Sequence, residues 1–437
     1  MVPGTMDLFR SALPDRPRAR GRGRTAAGRG QWTATGHLER KVTLECLPSA
    51  RRRDRTPAMK PISPPAAASS LPPRIDELES LRGLAALLVV LYHIPKWNDA
   101  FSVGWVNNGY LMVELFFVLS GFVIFSAYDG RLRSRQDLVR FQFLRFGRLY
   151  PIHLLFLVLW LGVEGLKYLA QVKLGISSPN NAAFQTNDGQ AFIENLLLVQ
   201  AILPDRPTTF NYAAWSISTE FYTYIVFGLS VLTLGRLRNA FFASLAGGAF
   251  ALLALGETLG VANLLRCLAG FSTGCLAALG LRHARSLRMP TWASGIVAAA
   301  LMAYLAMKPP TRWDVAIYPL TAALIATLVL APDGWLNRVL RCSWLIWLGT
   351  ASYSIYMSHT LIVWAANQAV RRVFYAQDQV NAAGLSVPSL TLPQALVAAA
   401  AVVVMVIAVS AFCYRWIEAP SRARSRQLAE RWWPASA

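Results

Sequence analysis

Charge is scarce in this chain, and acidic charge is the scarcest. Of 437 residues only 23 are Asp or Glu against 43 Lys or Arg; charged residues make up 15% and hydrophobic residues 54%. A soluble protein of this length normally carries more charge, and no soluble-looking block of domain size is present. Cysteine is also sparse. The five, at positions 46, 267, 275, 342 and 413, form no Cys-x-x-Cys pair and no Cys/His cluster. That speaks against a disulfide framework and a metal site, and the cysteines read as small apolar residues. What the chain does have is apolar runs near the length of a membrane span, recurring from about residue 80 to about residue 415. The expected fold is therefore all-α, a polytopic membrane helical bundle.

The net charge of +20 invites a nucleic-acid partner, but its placement argues against one. Residues 1–58 hold thirteen Lys or Arg against five Asp or Glu, and most of the remaining excess sits in short segments between apolar runs. Basic loops of that kind orient a membrane protein with its positive side cytoplasmic. Residues 1–73, with "RPRARGRGRTAAGRG" and "PISPPAAASSLPP", show no periodicity and read as a basic, disordered extension without the apolar core of a signal peptide. Met59 offers an alternative start. The expected organisation is an extension over 1–73, a membrane domain over 74–424 and a cytoplasmic tail over 425–437.

Apolar segments lie at about 78–96, 109–128, 149–172, 191–204, 215–234, 239–257, 262–281, 291–307, 314–332, 344–366 and 393–414. The fourth, "AFIENLLLVQAILP", is short for a span. If it crossed fully, the later basic segments "RLR", "RHARSLR" and "SRARSRQLAERWW" would all fall outside. If it is re-entrant or interfacial, they fall inside with the basic loop at 131–148. This gives about ten spanning helices with both termini cytoplasmic, at the cost of "RR" at 371–372 on the outer side.

Ionisable residues inside such helices need partners and are functional candidates. In "SLRGLAALLVVLYHI", Arg82 and His93 are separated by ten residues. Eleven helical steps return to within about 20° of the start, so the two share one face about 16 Å apart along the axis. Under this topology Arg82, Arg145 and Arg148 lie towards the cytoplasmic side, and His93, Glu114, Glu220 and His359 towards the outer side. Each has a structural alternative. Glu114 or Glu220 would serve as an arginine partner holding the bundle, Arg145 and Arg148 as topological anchors, and His359 as a packing residue. "GFSTG" at 270–274 has the small-xxx-small pattern of close helix packing.

Six motifs in order resemble the acyltransferase-3 family of integral membrane acyltransferases over about residues 74–424. They are Arg82 with His93; "FFVLSGF" at Phe116–Phe122; Arg145, Arg148 and Pro151 in "RFGRLYP"; "WSISTE" with Ser216 and Glu220; "SYSIYMSH" with Tyr353 and His359; and "YRWIEAPSR" with Glu418 and Pro420. Met112 departs from the glycine frequent there in the family. The resemblance implies transfer of an acyl group, acetyl foremost, from acyl-CoA to a hydroxyl on a carbohydrate or other small acceptor, in the inner or plasma membrane of a bacterium. On that footing Arg145 and Arg148 would bind the coenzyme A moiety and Arg82 would guide its pantetheine end or its phosphate. His93 would act as general base, oriented by Glu220. A covalent route through Ser120, Ser216 or Ser218 stands as a less simple alternative. From another class, a secondary transporter also suits ten helices with buried charge.

Overall fold

Apolar residues at helical spacing build nearly the whole of the described chain. The structure is a computed structural model describing residues 75–176, 181–284, 286–307, 311–380 and 386–434. The N-terminal extension expected over 1–73 lies outside the described residues. The helices, in chain order, begin with α1 (Asp76–His93), α2 (Gly104–Asn107), α3 (Met112–Tyr128), α4 (Arg135–Leu174) and α5 (Gly189–Leu196). Then come α6 (Trp215–Thr233), α7 (Arg238–Leu255), α8 (Ala262–His283), α9 (Ala293–Ala306) and α10 (Ile317–Leu330). The last are α11 (Trp335–Leu340), α12 (Ser343–Thr350), α13 (Ser352–Val373), α14 (Leu392–Cys413) and α15 (Ala419–Trp432). A two-stranded antiparallel hairpin, β1 (Asp378–Val380) with β2 (Ser386–Pro388), pairs Gln379 with Val387.

Among the described residues six helical stretches are long and apolar enough to cross a membrane: Gly109–Tyr128, Arg135–Leu174, Gly235–Leu255, Ala262–His283, Arg312–Leu330 and Leu392–Trp432. The expected short segment at 191–204 holds only α5, eight residues and about 12 Å of helix, far less than a hydrocarbon core.

Three segments differ from expectation. The basic stretch 131–148 is largely helix rather than loop. Ser134 and Asp137 form a reciprocal capping box that starts α4, and the helix runs through Pro151 to the left-handed Gly175. The apolar run 344–366 is broken at Ala351 into α12 and α13. The C-terminal helix continues past residue 424 through a π turn, Tyr414–Glu418, into α15. There Ser425 packs where a side chain on Gly147 of α4 would stand.

Two close helix contacts set the frame. On α8, Gly270 and Gly274 lie against α3: a Cβ on Gly274 would meet the Val118 carbonyl and come within 2.7 Å of the Phe122 nitrogen, and one on Gly270 would lie 2.7 Å from Phe117 Cβ. The "GFSTG" stripe is thus a packing surface. Likewise Gly349 of α12 abuts the Glu79 carbonyl of α1, and Gly83 of α1 leaves room for the backbone of Leu348 and Gly349. Ion pairs tie the helix ends: Asp129 with Arg238 (2.8 Å) and Arg282 (2.6 Å), and Glu77 with Arg341 (2.7 Å).

Candidate active site

The break at Ala351 shapes the site. It places Ser352 and Tyr353 between two chambers, and both residues line both of them. The larger, about 340 Å³, lies where α1, α4, α12, α13 and α15 meet, and Arg148, Arg422 and Arg426 face it with Glu79 and Glu418. The smaller, about 40 Å³, is lined by Arg82, Ser120, Ser216, Glu220 and Tyr356. The Tyr353 hydroxyl donates to the Leu149 carbonyl, which anchors this divider to α4. Beneath it Ser354 donates to Glu418 Oε2 (2.7 Å), and Arg422 Nη1 stands 3.5 Å from Glu418 Oε1.

Arg148 and Arg145 part company. Three positions apart on α4, they are separated by about 60° around the helix. Arg148 faces the large chamber. Arg145 instead donates to the Tyr128 hydroxyl (3.3 Å) and lies over the rings of Tyr128, Phe141 and Tyr224 at 5.5 to 6.0 Å. Arg422 and Arg426 of α15 join Arg148 at the large chamber. Sequence reading missed them because a basic tail reads equally well as a topology signal.

In the small chamber the Arg82 Nε is buried without a hydrogen-bond partner. Glu220 accepts from Ser120 Oγ (2.6 Å) and from the Tyr224 hydroxyl, so its bonds run to α3 and along α6. Ser216 Oγ donates to the Tyr356 hydroxyl (2.9 Å), which donates to the Ala213 carbonyl (2.9 Å). Both serines are thereby held by neighbours.

His93 and His359 meet. His359 Nε2 lies 3.2 Å from His93 Nδ1, with ring centroids 4.8 Å apart. His359 is fully buried and its Nδ1 lies 2.6 Å from the Tyr356 carbonyl, while part-buried His93 has its Nδ1 2.9 Å from the Val89 carbonyl. Glu220 has no hydrogen bond to His93: the residue against the His93 imidazole is a second imidazole. Tyr212 completes the group, 5.1 Å from the His93 ring. Asn211 fixes that turn by donating to the Met357 carbonyl and accepting from Thr360 (both 2.9 Å). Burial raises the Tyr212 pKa, so its hydroxyl stays neutral.

Glu114 takes the structural alternative. It pairs with Arg266 of α8 at 2.6 Å, and that guanidinium lies 4.4 Å from the centroid of the Trp215 ring. Arg266, a lone arginine in an apolar run, was the signal for this pair. His153 is buried with its Nε2 2.9 Å from the Asn195 carbonyl. His283 is exposed, and His37 lies outside the described residues. Among the described residues no group of three His, Cys, Asp or Glu is placed to hold a metal.

Residues 75–415 match the acyltransferase-3 family, described as an acyltransferase domain. The chain belongs to the acyltransferase-3 family. "Acyltransferase MdmB" of Streptomyces mycarofaciens is 29% identical over 67% of this chain and 81% of that protein. "Protein 2 in picA locus" of Rhizobium radiobacter is 32% identical over 36% of this chain and 83% of that protein. "Putative peptidoglycan O-acetyltransferase YrhL" of Bacillus subtilis (strain 168) is 26% identical over 66% of this chain, but the match covers only 48% of that longer protein. No solved structure matches the chain. Membership assigns this membrane bundle to the O-acyltransferases rather than to the solute carriers that ten helices with buried charge also suit.

Proposed function

We propose that the protein moves an acyl group, acetyl foremost, from cytoplasmic acyl-CoA to a hydroxyl of a carbohydrate or glycosylated acceptor, with His93 as general base. The observation that carries the donor reading is the arginine-lined chamber, which shares Ser352 and Tyr353 with the smaller chamber holding Arg82. Three guanidiniums around a 340 Å³ space suit the phosphates of coenzyme A, because planar forked donors match phosphate oxygens. Arg82 lines the smaller chamber beyond Ser352 and Tyr353, and its buried Nε is a donor that a pantetheine carbonyl would take. The names of two relatives add acyl transfer and O-acetylation, which favours a hydroxyl acceptor.

The chemistry is a direct displacement. The acceptor hydroxyl gives its proton to His93 Nε2 as its oxygen bonds the acyl carbon. The carbon–sulfur bond breaks, and the coenzyme A thiolate takes up that proton. Direct attack needs no acyl-enzyme, and the hydrogen bonds of Ser120 and Ser216 give neither hydroxyl a neighbouring histidine base.

The topology follows the positive-inside rule. We read α1, α6, α9 and α13 as further spans beside the six apolar ones, giving ten, with the arginine chamber, the N-terminal extension and α15 on the cytoplasmic side of a bacterial inner membrane. The test is stoichiometry. Purified protein given acetyl-CoA and a panel of glycosides should release one coenzyme A per acylated hydroxyl. Acylation of an acceptor without coenzyme A release would overturn the donor assignment.

A further inference from the structure

His93 needs one particular tautomer to act as a base, and the contacts of its ring determine which one it has. The Val89 and Tyr356 carbonyls can only accept hydrogen bonds. With Val89 O at 2.9 Å, an unprotonated His93 Nδ1 would set lone pair against lone pair, so that nitrogen carries hydrogen. The same logic puts hydrogen on His359 Nδ1, 2.6 Å from Tyr356 O. His359 Nε2 then faces an N–H at 3.2 Å, and a second hydrogen there would collide with the first. The one arrangement that turns all three contacts into donor–acceptor pairs is a neutral His359 accepting from His93. It leaves the lone pair of neutral His93 on Nε2, which has no hydrogen-bond partner among the described residues.

We infer that His359 is a positioning residue: its Nε2 receives the Nδ1–H of His93 and so keeps the His93 Nε2 lone pair available for the acceptor hydroxyl. The inference rests on the reading of His93 as base. The network also serves both states of the reaction. When His93 Nε2 takes a proton, the imidazolium keeps the same two bonds through Nδ1, to Val89 O and His359 Nε2, so nothing must reorient in the transition state. A neutral imidazole does here what a carboxylate does in hydrolase triads, without a second buried charge. Burial supports the division of roles: His359 is fully buried, whereas His93 is only part-buried.

The experiment compares His359→Leu, which removes the acceptor nitrogen, with His359→Gln, whose amide oxygen can still accept. His359→Leu should lower kcat by about 10²-fold, less than the ~10⁴-fold lost when a triad carboxylate is neutralised, because Val89 O still receives the His93 proton. KM for acetyl-CoA and for acceptor should stay within about twofold, and His359→Gln should recover at least about tenfold of the loss. In parallel, ¹⁵N-histidine spectra of the full chain, with His93 assigned by its loss in His93→Gln, should show His93 protonated at Nδ1 and bare at Nε2. Wild-type kcat in His359→Leu, or no recovery in His359→Gln, would overturn the inference. If the Leu variant does not fold, the wild-type spectrum decides, and a bare Nδ1 on His93 refutes the assignment. Full activity of His93→Gln would instead refute the base itself, which separates that failure from this one.

Discussion

Replacing Arg148 by Gln should weaken acyl-CoA binding, whereas Arg145→Lys should leave it alone. Both arginines belong to one family motif, so a reading from the motif alone expects both to contact the donor. Their surroundings differ. Arg148 faces the 340 Å³ chamber with Arg422 and Arg426, while Arg145, outside that lining, donates through Nη2 to the Tyr128 hydroxyl and lies over three aromatic rings, its Nε unpartnered. A hydrogen bond to a charged group contributes about 1.5–3 kcal/mol, and about 1.4 kcal/mol is a factor of ten. Arg148→Gln should therefore raise the donor KM by about 10- to 150-fold with little change in acceptor KM. Arg148→Lys, which keeps charge but loses the fork, should fall near the lower end. Arg145→Lys should cost stability, on the order of 1 kcal/mol for lost ring contacts, and leave the donor KM within about twofold. The assay is coenzyme A thiol release read with a chromogenic disulfide, in a Cys342→Ser background because Cys342 is an exposed thiol. Equal donor effects at both positions, or none at Arg148, would refute the reasoning.

Other outcomes follow from the same contacts. Gly274→Ala should destabilise the bundle by about 1–3 kcal/mol, read as a lower unfolding midpoint in detergent, because the new Cβ meets α3 backbone rather than a side chain that can turn aside. Glu114→Ala should be more damaging than the double variant Glu114→Ala with Arg266→Ala, since the single change leaves a largely buried guanidinium unpaired. Single cysteines at Thr186 and Thr208, in a background without the native cysteines, should react with an impermeant thiol reagent from the same side of the membrane, because α5 between them is too short to cross. A chain starting at Met59 should insert and turn over normally; loss of activity at equal membrane abundance would give residues 1–58 a role.

Much of the fold was legible in the sequence because a bilayer imposes a strong, simple constraint on helix length and polarity. The boundaries of α6, α7, α8 and α14 fall within two residues of the apolar runs at 215–234, 239–257, 262–281 and 393–414. The break at Ala351 was not legible, since a lone Gly349 inside an apolar run does not by itself end a helix, and its close contact with the α1 backbone shows only in the packing. The site helices also carry a signal in reverse. α1, α6 and α13 do not count among the six apolar stretches, and they are the ones bearing Arg82, His93, Ser216, Glu220, Tyr353 and His359. Polar side chains lower the hydropathy of the very helices they make functional.

Periodicity placed Arg82 and His93 on one face, and depth grouped His93 with Glu220 and His359. Depth alone does not fix rotation about the axis, so it paired the histidine with a carboxylate that in fact binds Ser120 and Tyr224. The contribution of α15 was hidden for a different reason. Arg422 and Arg426 sit in a run of basic residues that reads as an orientation signal, and only the packing of α15 against α4 brings them to the large chamber.

A proton taken from the acceptor hydroxyl by His93 is the step on which the proposed reaction depends. The measurement that tests it most directly is single-turnover acyl transfer by His93→Gln, with coenzyme A affinity measured on the same preparation. Gln keeps polarity and hydrogen bonding but cannot accept a proton near neutral pH. With His93 as base, donor affinity should be unchanged and transfer slowed by about 10²–10⁴-fold. Near-normal transfer by that variant would contradict it.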